Sequence, residues 1–358
     1  MLKAPDGMRR AGVVGTGLIG GSIGLALRAR GWHVSGTDAD PVTAAKALAL
    51  GALDRLGVDD EAELTFVATP VGAVPAAAKE ALAASRGPVT DVGSVKGSIL
   101  DTVTDPRFVG GHPMAGSEQV GVEGADGELF EGAVWVLTPT AATDDNAYAT
   151  VRAVVSSLGA EVVALPPDRH DTLVAVVSHV PHLVAATLMH LADERAEEHR
   201  ALLRLAAGGF RDMTRIAAGH PGIWPDICGE NRAAISEMLH RVVLALVEMR
   251  QVVASDDRAG LLAVLERAQR ARMNLPSRFQ RPSALVEVRV PVPDRPGVLA
   301  DVTTLATEIG ANIVDLEIAH SSEGDRGVLI LLVETDRAER FCNGLSARGY
   351  RPATHTLE

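Results

Sequence analysis

Short β-branched runs alternate with Ala- and Leu-rich stretches over residues 1–165, as at Ala11-Gly12-Val13-Val14, Val34-Ser35-Gly36-Thr37, Leu64-Thr65-Phe66-Val67-Ala68 and Val89-Thr90-Asp91-Val92. Apolar runs of strand length separated by helix-length stretches predict a doubly wound parallel sheet covered by helices. Over 166–275 the period changes. The segment from Ile235 to Val253 carries apolar residues at helical spacing, which predicts an all-helical second domain. Asn274 to Ser283 holds two prolines and little periodicity, the mark of a linker. A third domain is expected over 284–358: a strand at Leu285 to Val290, a turn at Pro293 to Gly297, a helix from Val298 to Ile309, strands at Ile313 to His320 and Val328 to Glu334, a helix near Arg337 to Arg348, and a short strand near Arg351 to Thr356. That order predicts a small ferredoxin-like α+β unit.

Composition narrows the function classes. A chain of 358 residues with 47% hydrophobic content can give each domain a core. The formal net charge of −12 argues against general affinity for nucleic acid or an anionic membrane, since both need a surplus of surface cations. An anionic substrate must then be met by locally placed cations. The two cysteines, Cys228 and Cys342, stand far apart with no CxxC or Cys/His cluster, so neither a disulfide framework nor a metal site is expected. The first residues lack an apolar signal core, and the apolar runs read as too short or too interrupted to span a bilayer. A cytoplasmic protein is expected.

The first strand runs into Gly15-Thr16-Gly17-Leu18-Ile19-Gly20, and a helix-like stretch follows. Gly15 permits the tight turn, Gly17 lets a pyrophosphate approach the backbone, and Gly20 lets helix and strand pack closely. This is the signature of a Rossmann-type dinucleotide site. Asp38 ends the second strand about 20 residues on, where a carboxylate accepts from ribose hydroxyls and repels a 2′-phosphate, so NAD is favoured over NADP. Asp38 or Asp40 also suits the cap of the next helix.

Three further stretches are richer in polar groups than packing requires: Asp91-Val92-Gly93-Ser94-Val95-Lys96-Gly97; the glycine-rich, loop-like Gly110-Gly111-His112-Pro113-Met114-Ala115-Gly116-Ser117-Glu118; and a helical pair, His170-Asp171 with Ser178-His179-Val180-Pro181-His182, and Gly208-Gly209-Phe210-Arg211-Asp212-Met213-Thr214-Arg215. With these, residues 9 to about 275 resemble the prephenate dehydrogenases. The resemblance implies oxidation of prephenate, or of its aminated relative arogenate, at the ring C4 hydroxyl with loss of CO2, on the route to tyrosine.

It also implies roles. His112 would be the base that takes the hydroxyl proton, with Ser94 bonded to the same hydroxyl. Arg215 would hold a carboxylate, His182 would assist binding, and Ser178, Ser117, Glu118, Asp171 and Trp224 would line or gate the pocket. Ser178 and His182, four apart, are expected on one helix face; Arg211 reads as structural and His179 as a packing residue. All four lysines, Lys3, Lys46, Lys79 and Lys96, precede the helical domain, which disfavours families that use a lysine there. The helical domain is expected to form a homodimer. Val290 to Ala300 with Ala311 to Asp315 resembles an ACT domain, an amino-acid-sensing module. That resemblance implies an effector site at Asp294, Gly297 and Asn312, with tyrosine the expected effector. An arogenate dehydrogenase and a silent NAD and amino-acid sensor are the alternatives.

Overall fold

The computed structural model describes residues 7–116, 119, 121–198, 202–274, 285–293, 295–320 and 326–356. By compactness it divides into two units, Met1–Leu191 with Thr214–Gln251, and Ala192–Met213 with Val252–Glu358.

The first unit is built on an eight-stranded sheet. Its elements are β1 (Arg10–Val14), α1 (Leu18–Ala29), β2 (His33–Thr37), α2 (Pro41–Ala49), β3 (Arg55–Leu56), β4 (Leu64–Val67), α3 (Val74–Ala84), β5 (Val89–Asp91), α4 (Gly97–Thr102), β6 (Phe108–Pro113), β7 (Val134–Thr138), α5 (Asp145–Ser157) and β8 (Glu161–Ala164). The strand order is β3-β2-β1-β4-β5-β6-β7-β8. Helices cover both faces, so the central strands are buried on both sides, as β4 is throughout. Ile23, Leu27, Phe66, Phe130 and Trp135 form the middle of the larger core.

Two expectations are corrected here. The sheet is mixed rather than parallel, because β6 pairs antiparallel with β7. Gly110-Gly111-His112-Pro113 is not a loop but the end of β6. Its glycines are steric. A methyl on Gly111 would stand 2.6 Å from the Asp91 carbonyl oxygen, and one on Gly110 would stand 2.4 Å from Thr138 Oγ1. Backbone packed this closely on its neighbours admits no side chain.

After the sheet come α6 (Pro167–Val174), a π-helical turn at Ala175–His179, and α7 (Val180–Glu198). Together Pro167–Arg195 is long and apolar enough to cross a membrane by length and composition, an 18-residue stretch within it having a mean hydropathy of 1.6, so the expectation that no such run exists fails. Its inner side nevertheless carries buried His170, Asp171 and His179, hydrogen-bonded to groups of the same unit. Such polar burial suits a core helix of a folded domain. Next come α8 (Gly208–Thr214), α9 (Trp224–Glu230), α10 (Arg232–Ala254) and α11 (Arg258–Met273). On α10 the side chains of Val243, Leu244 and Leu246 are exposed, and so are Val176 and Val177 on the π turn.

In the second unit, β9 (Leu285–Pro293), α12 (Val298–Ile309), β10 (Ile313–His320), β11 (Arg326–Glu334), α13 (Thr335–Ala347) and β12 (Ala353–Thr356) follow the expected βαββαβ order. The four strands form an antiparallel sheet in the order β10-β11-β9-β12. Val288, Val302, Leu331 and Phe341 fill its core against the two helices. Arg348 pairs with Asp301 and Glu308, each at 2.6 Å, and the Tyr350 hydroxyl donates to Asp301 at 2.8 Å, tying the end of α13 to α12.

Candidate active site

The turn between β1 and α1 has the form a dinucleotide requires. Gly15 is left-handed at φ +87°, and a methyl on Gly20 would stand 1.8 Å from the Gly15 carbonyl oxygen, so strand and helix touch there through backbone alone. Gly17 opens α1 with no side-chain cap, and a Cβ on it would meet nothing within 4 Å. Backbone N–H groups at Leu18 and Ile19 thus stand at the positive end of a 12-residue helix beside open space, which fits a pyrophosphate. Asp38 is half-buried. Its Oδ2 accepts from the Thr16 amide at 2.7 Å and hydroxyl at 3.2 Å, and its Oδ1 accepts from the Asp40 amide at 2.9 Å. Thr16 is wholly buried and holds Asp38 in place. Asp40, not Asp38, caps α2, accepting from the Val42 and Thr43 amides.

The second cluster centres on β6. His112 Nδ1 lies 2.8 Å from His170 Nε2, and His170 Nδ1 lies 2.8 Å from Asp171 Oδ1. Asp171 Oδ1 also accepts from the Lys96 amide and its Oδ2 from the Gly97 amide, each at 2.8 Å. The carboxylate of α6 therefore caps the first turn of α4, where backbone donors lack helical partners. Asp171, expected to line or gate a pocket, has its carboxylate engaged inside the protein. Below His112 the Lys96 ammonium is fully buried, paired with Asp91 and donating to the Gly111 carbonyl at 2.7 Å. Asp91 also accepts from the Gly93 amide at 2.8 Å and the Gly111 amide at 3.0 Å. Ser94 is half-buried on the loop between these anchors.

Burial sets the electrostatics. Desolvation, then the neighbouring His170, Lys96 and His179, hold the His112 imidazole well below its ordinary pKa, so it is neutral near pH 7 and able to accept a proton. Desolvation lowers Lys96 as well, against the pull of Asp91. His179 is driven by desolvation down to about 4, with Asp171 opposing. Its Nδ1 accepts from the Asn231 amide at 3.2 Å, and that amide also donates to the Asp171 carbonyl at 2.8 Å.

His182 lies flat on Trp224, ring centroids 3.7 Å apart and planes 14° apart, and burial lowers its pKa. Ser178 is half-buried in the π turn, whose i→i+5 bonding widens the helix, so a spacing of four across this junction does not by itself align it with His182. Arg215 is exposed and opens a 3₁₀ turn, Arg215–Ala218; a methyl on the following Gly219 would stand 3.7 Å from His182 Cε1. The segment after Arg215 thus passes beside His182. Ser117, Glu118 and Asp294 lie outside the described residues. Gly297 is left-handed at φ +94° with open space where a Cβ would sit, so the turn alone accounts for the glycine; Asn312 is exposed just before β10. Among the described residues no group of His, Cys, Asp and Glu is arranged to hold a metal ion.

The sequence reading named the stretches that hold His170, Lys96 and Asp91 but gave those residues no role in the site, and it passed over Asn231. All four are buried polar residues, and a His-Asp pair directly ahead of a His-rich segment was the available sign for the first.

Two family models match the chain: "Prephenate dehydrogenase, nucleotide-binding domain" over residues 23–164 and "Prephenate dehydrogenase, dimerization domain" over residues 166–267. The chain belongs to the prephenate dehydrogenase family. Within that family it is 34% identical over 341 residues to the prephenate dehydrogenase of Bacillus subtilis (strain 168), covering 90% of this chain and 92% of that one. The prephenate dehydrogenase of A. aeolicus, solved in complex with hydroxyphenyl propionate and NAD+, superposes with a TM-score of 0.71 at 31% identity, covering 76% of this chain and 100% of that one. A Synechocystis arogenate dehydrogenase superposes with a TM-score of 0.65 at 30% identity, covering 74% and 98%.

Proposed function

We propose that this chain oxidises prephenate with NAD and releases CO2 to give 4-hydroxyphenylpyruvate in tyrosine biosynthesis. The observation that carries the reading is a neutral, half-buried His112 wired to His170 and Asp171 on the same unit as an open, uncapped glycine turn.

NAD, when bound, supplies the acceptor for the hydride leaving ring C4. The Gly15-Thr16-Gly17-Leu18-Ile19-Gly20 turn would hold its pyrophosphate, and the remaining acceptor site on Asp38 Oδ1 its ribose. His112 takes the C4 hydroxyl proton as that carbon loses hydride, and Ser94 bonds the same oxygen and keeps it in line. The electron pair of the bond to the ring carboxylate then enters the ring as CO2 departs, and the C4 oxygen, now phenolic, takes back its proton. Aromatisation makes the step irreversible. Arg215 pairs with a substrate carboxylate, bidentate capture being the guanidinium's strength. His182, seated on Trp224, and Ser178 complete the pocket, and the family resemblance assigns Ser117 and Glu118 to lining or gating it.

We divide the chain functionally into a nucleotide-binding domain over 1–165, a substrate and dimerisation domain over 166–275, and a regulatory ACT domain over 284–358. The exposed Val176, Val177, Val243, Leu244 and Leu246 support a homodimer through the helical domain. The βαββαβ order with strand order β10-β11-β9-β12 supports a ferredoxin-like ACT module binding tyrosine near Gly297, Asn312 and Asp294. The free cysteines Cys228 and Cys342 suit a cytoplasmic enzyme.

The likeness to an arogenate dehydrogenase favours one second reading, with arogenate as substrate. The test is NADH formation with prephenate and arogenate in parallel, with NADP as the alternative acceptor and tyrosine titrated into each. His112→Asn should cut turnover about 10²- to 10⁴-fold and leave NAD affinity nearly unchanged. Near-normal turnover in that variant removes His112 from the reaction; no turnover of either substrate by the unmodified chain removes the reading.

A further inference from the structure

His170 is fully buried, and both of its ring nitrogens are engaged. With one proton on each ring, the hydrogen bonds around it leave one consistent arrangement of protons. Asp171 receives the Lys96 amide on Oδ1 and the Gly97 amide on Oδ2, so both oxygens face donors and the carboxyl is an acceptor on both sides. At its contact with Asp171 Oδ1, His170 Nδ1 must therefore carry a hydrogen. A neutral imidazole has one N–H, so His170 Nε2 is a lone pair. That lone pair accepts from His112 Nδ1–H across 2.8 Å. The free lone pair of His112 is then on Nε2, the nitrogen that His170 does not engage.

We propose that His170 is a positioning residue that fixes His112 as the Nδ1–H tautomer, with Asp171 as the anchor that sets the proton order of both rings. The proposal rests on the reading of His112 as the base and deepens it. Without an acceptor at Nδ1, an imidazole divides between tautomers, and the Nε2–H form cannot take a proton at Nε2. With the chain of bonds in place, every His112 is in the accepting form before substrate arrives. When Nε2 takes a proton, the Nδ1–H···Nε2 bond to His170 persists and strengthens, since its donor now carries charge. Nothing has to reorient during the reaction.

Burial and the neighbouring His170, Lys96 and His179 keep His112 unprotonated beforehand. Lys96 stands at the start of α4, paired with Asp91 on β5, His179 lies on the π turn, and Asp171 on α6 faces His170. The cap that Asp171 places on α4 ties the same carboxylate to the Ser94 loop. The tautomer of the base and the position of Ser94 thus share one anchor.

The experiment is long-range 15N–1H NMR on the full chain labelled at histidine, without substrate, followed by steady-state kinetics. The unmodified protein should show His112 Nδ1 protonated and Nε2 unprotonated. His170→Phe removes the acceptor and should give a mixture of His112 tautomers, a turnover lower by about 10- to 100-fold, and a substrate KM changed by less than about threefold. His170→Gln puts an amide oxygen where Nε2 stood and should recover the Nδ1–H signal and most of the lost turnover. A protonated His112 Nε2 in the unmodified protein overturns the proposal, and so does a His170→Phe variant with unmixed tautomer and full turnover. If that variant fails to fold, the signals of the unmodified protein alone decide. Unmodified protein with the expected tautomer and no turnover of prephenate or arogenate sinks the proposed function and leaves the relay standing.

Discussion

Acid should weaken this fold through His179, and the size of the effect follows from where that residue sits. Its side chain is 1% exposed, and desolvation holds its pKa at about 4 against an ordinary 6.5, with the Asp171 charge only partly offsetting burial. A folded-state value below the unfolded one means that the unfolded chain binds more protons between the two. The stability is therefore fully present above about pH 6.5 and is lost as pH falls towards 4. Keeping the ring neutral over that interval, at about 1.4 kcal/mol per pH unit, corresponds to about 3 kcal/mol. That is a large part of the 5–15 kcal/mol typical of a domain. The perturbation is His179→Asn, whose amide oxygen stands where Nδ1 accepts from Asn231 and has no proton to gain. The variant should lose about 1–2 kcal/mol at pH 7.5 from the missing ring, which sits edge-on to Trp224, and should then overtake the unmodified protein in acid. Urea unfolding at pH 7.5, 6.5, 5.5 and 4.5 measures both, and the comparison cancels whatever His112 contributes. Identical pH slopes for the two proteins would refute the reasoning.

Arg215→Ala should raise the KM for prephenate about 10- to 100-fold, the worth of one charge-assisted bond of about 1.5–3 kcal/mol, with NAD affinity little changed; equal losses for both ligands would point to a folding role. Gly20→Ala would drive a methyl to 1.8 Å from the Gly15 oxygen, where only backbone can yield, and should abolish NAD binding by calorimetry and lower the melting temperature. Asn312→Ala should raise the half-inhibitory tyrosine concentration at least about tenfold; unchanged inhibition would place tyrosine in the active site instead.

Much of the fold was legible because its signals are local. The strands β1, β2, β4 and β5 are buried along their middles and read as short runs that carry β-branched residues, and the 285–356 elements alternate cleanly enough to be placed within three residues. What stayed hidden depends on contacts distant in sequence. Strand β6 spells Phe-Val-Gly-Gly-His-Pro, poor strand propensity by any local measure, and its glycines answer to Asp91 and Thr138 rather than to a turn. The direction of β6 against β7 leaves no mark in an apolar pattern at all. The π turn at Ala175–His179 reads as ordinary helix in sequence.

At the site, the motif residues were visible one stretch at a time, and their wiring was not. Gly-Ser-Val-Lys-Gly invites the reading that its lysine awaits an anionic substrate. Lys96 is instead wholly buried, spent on Asp91 and the Gly111 carbonyl, and its charge helps to keep His112 unprotonated. No lysine follows it in the chain. A dicarboxylate bound near His182 must then be neutralised by arginine or by protonated histidine, and burial lowers the pKa of both His179 and His182. This supports the proposed role of Arg215, which opens the turn that passes beside His182. With Arg215 proposed to capture substrate and His112 proposed to take the proton, the two duties rest on separate residues: a change at Arg215 should reach KM, and a change at His112 or His170 should reach kcat.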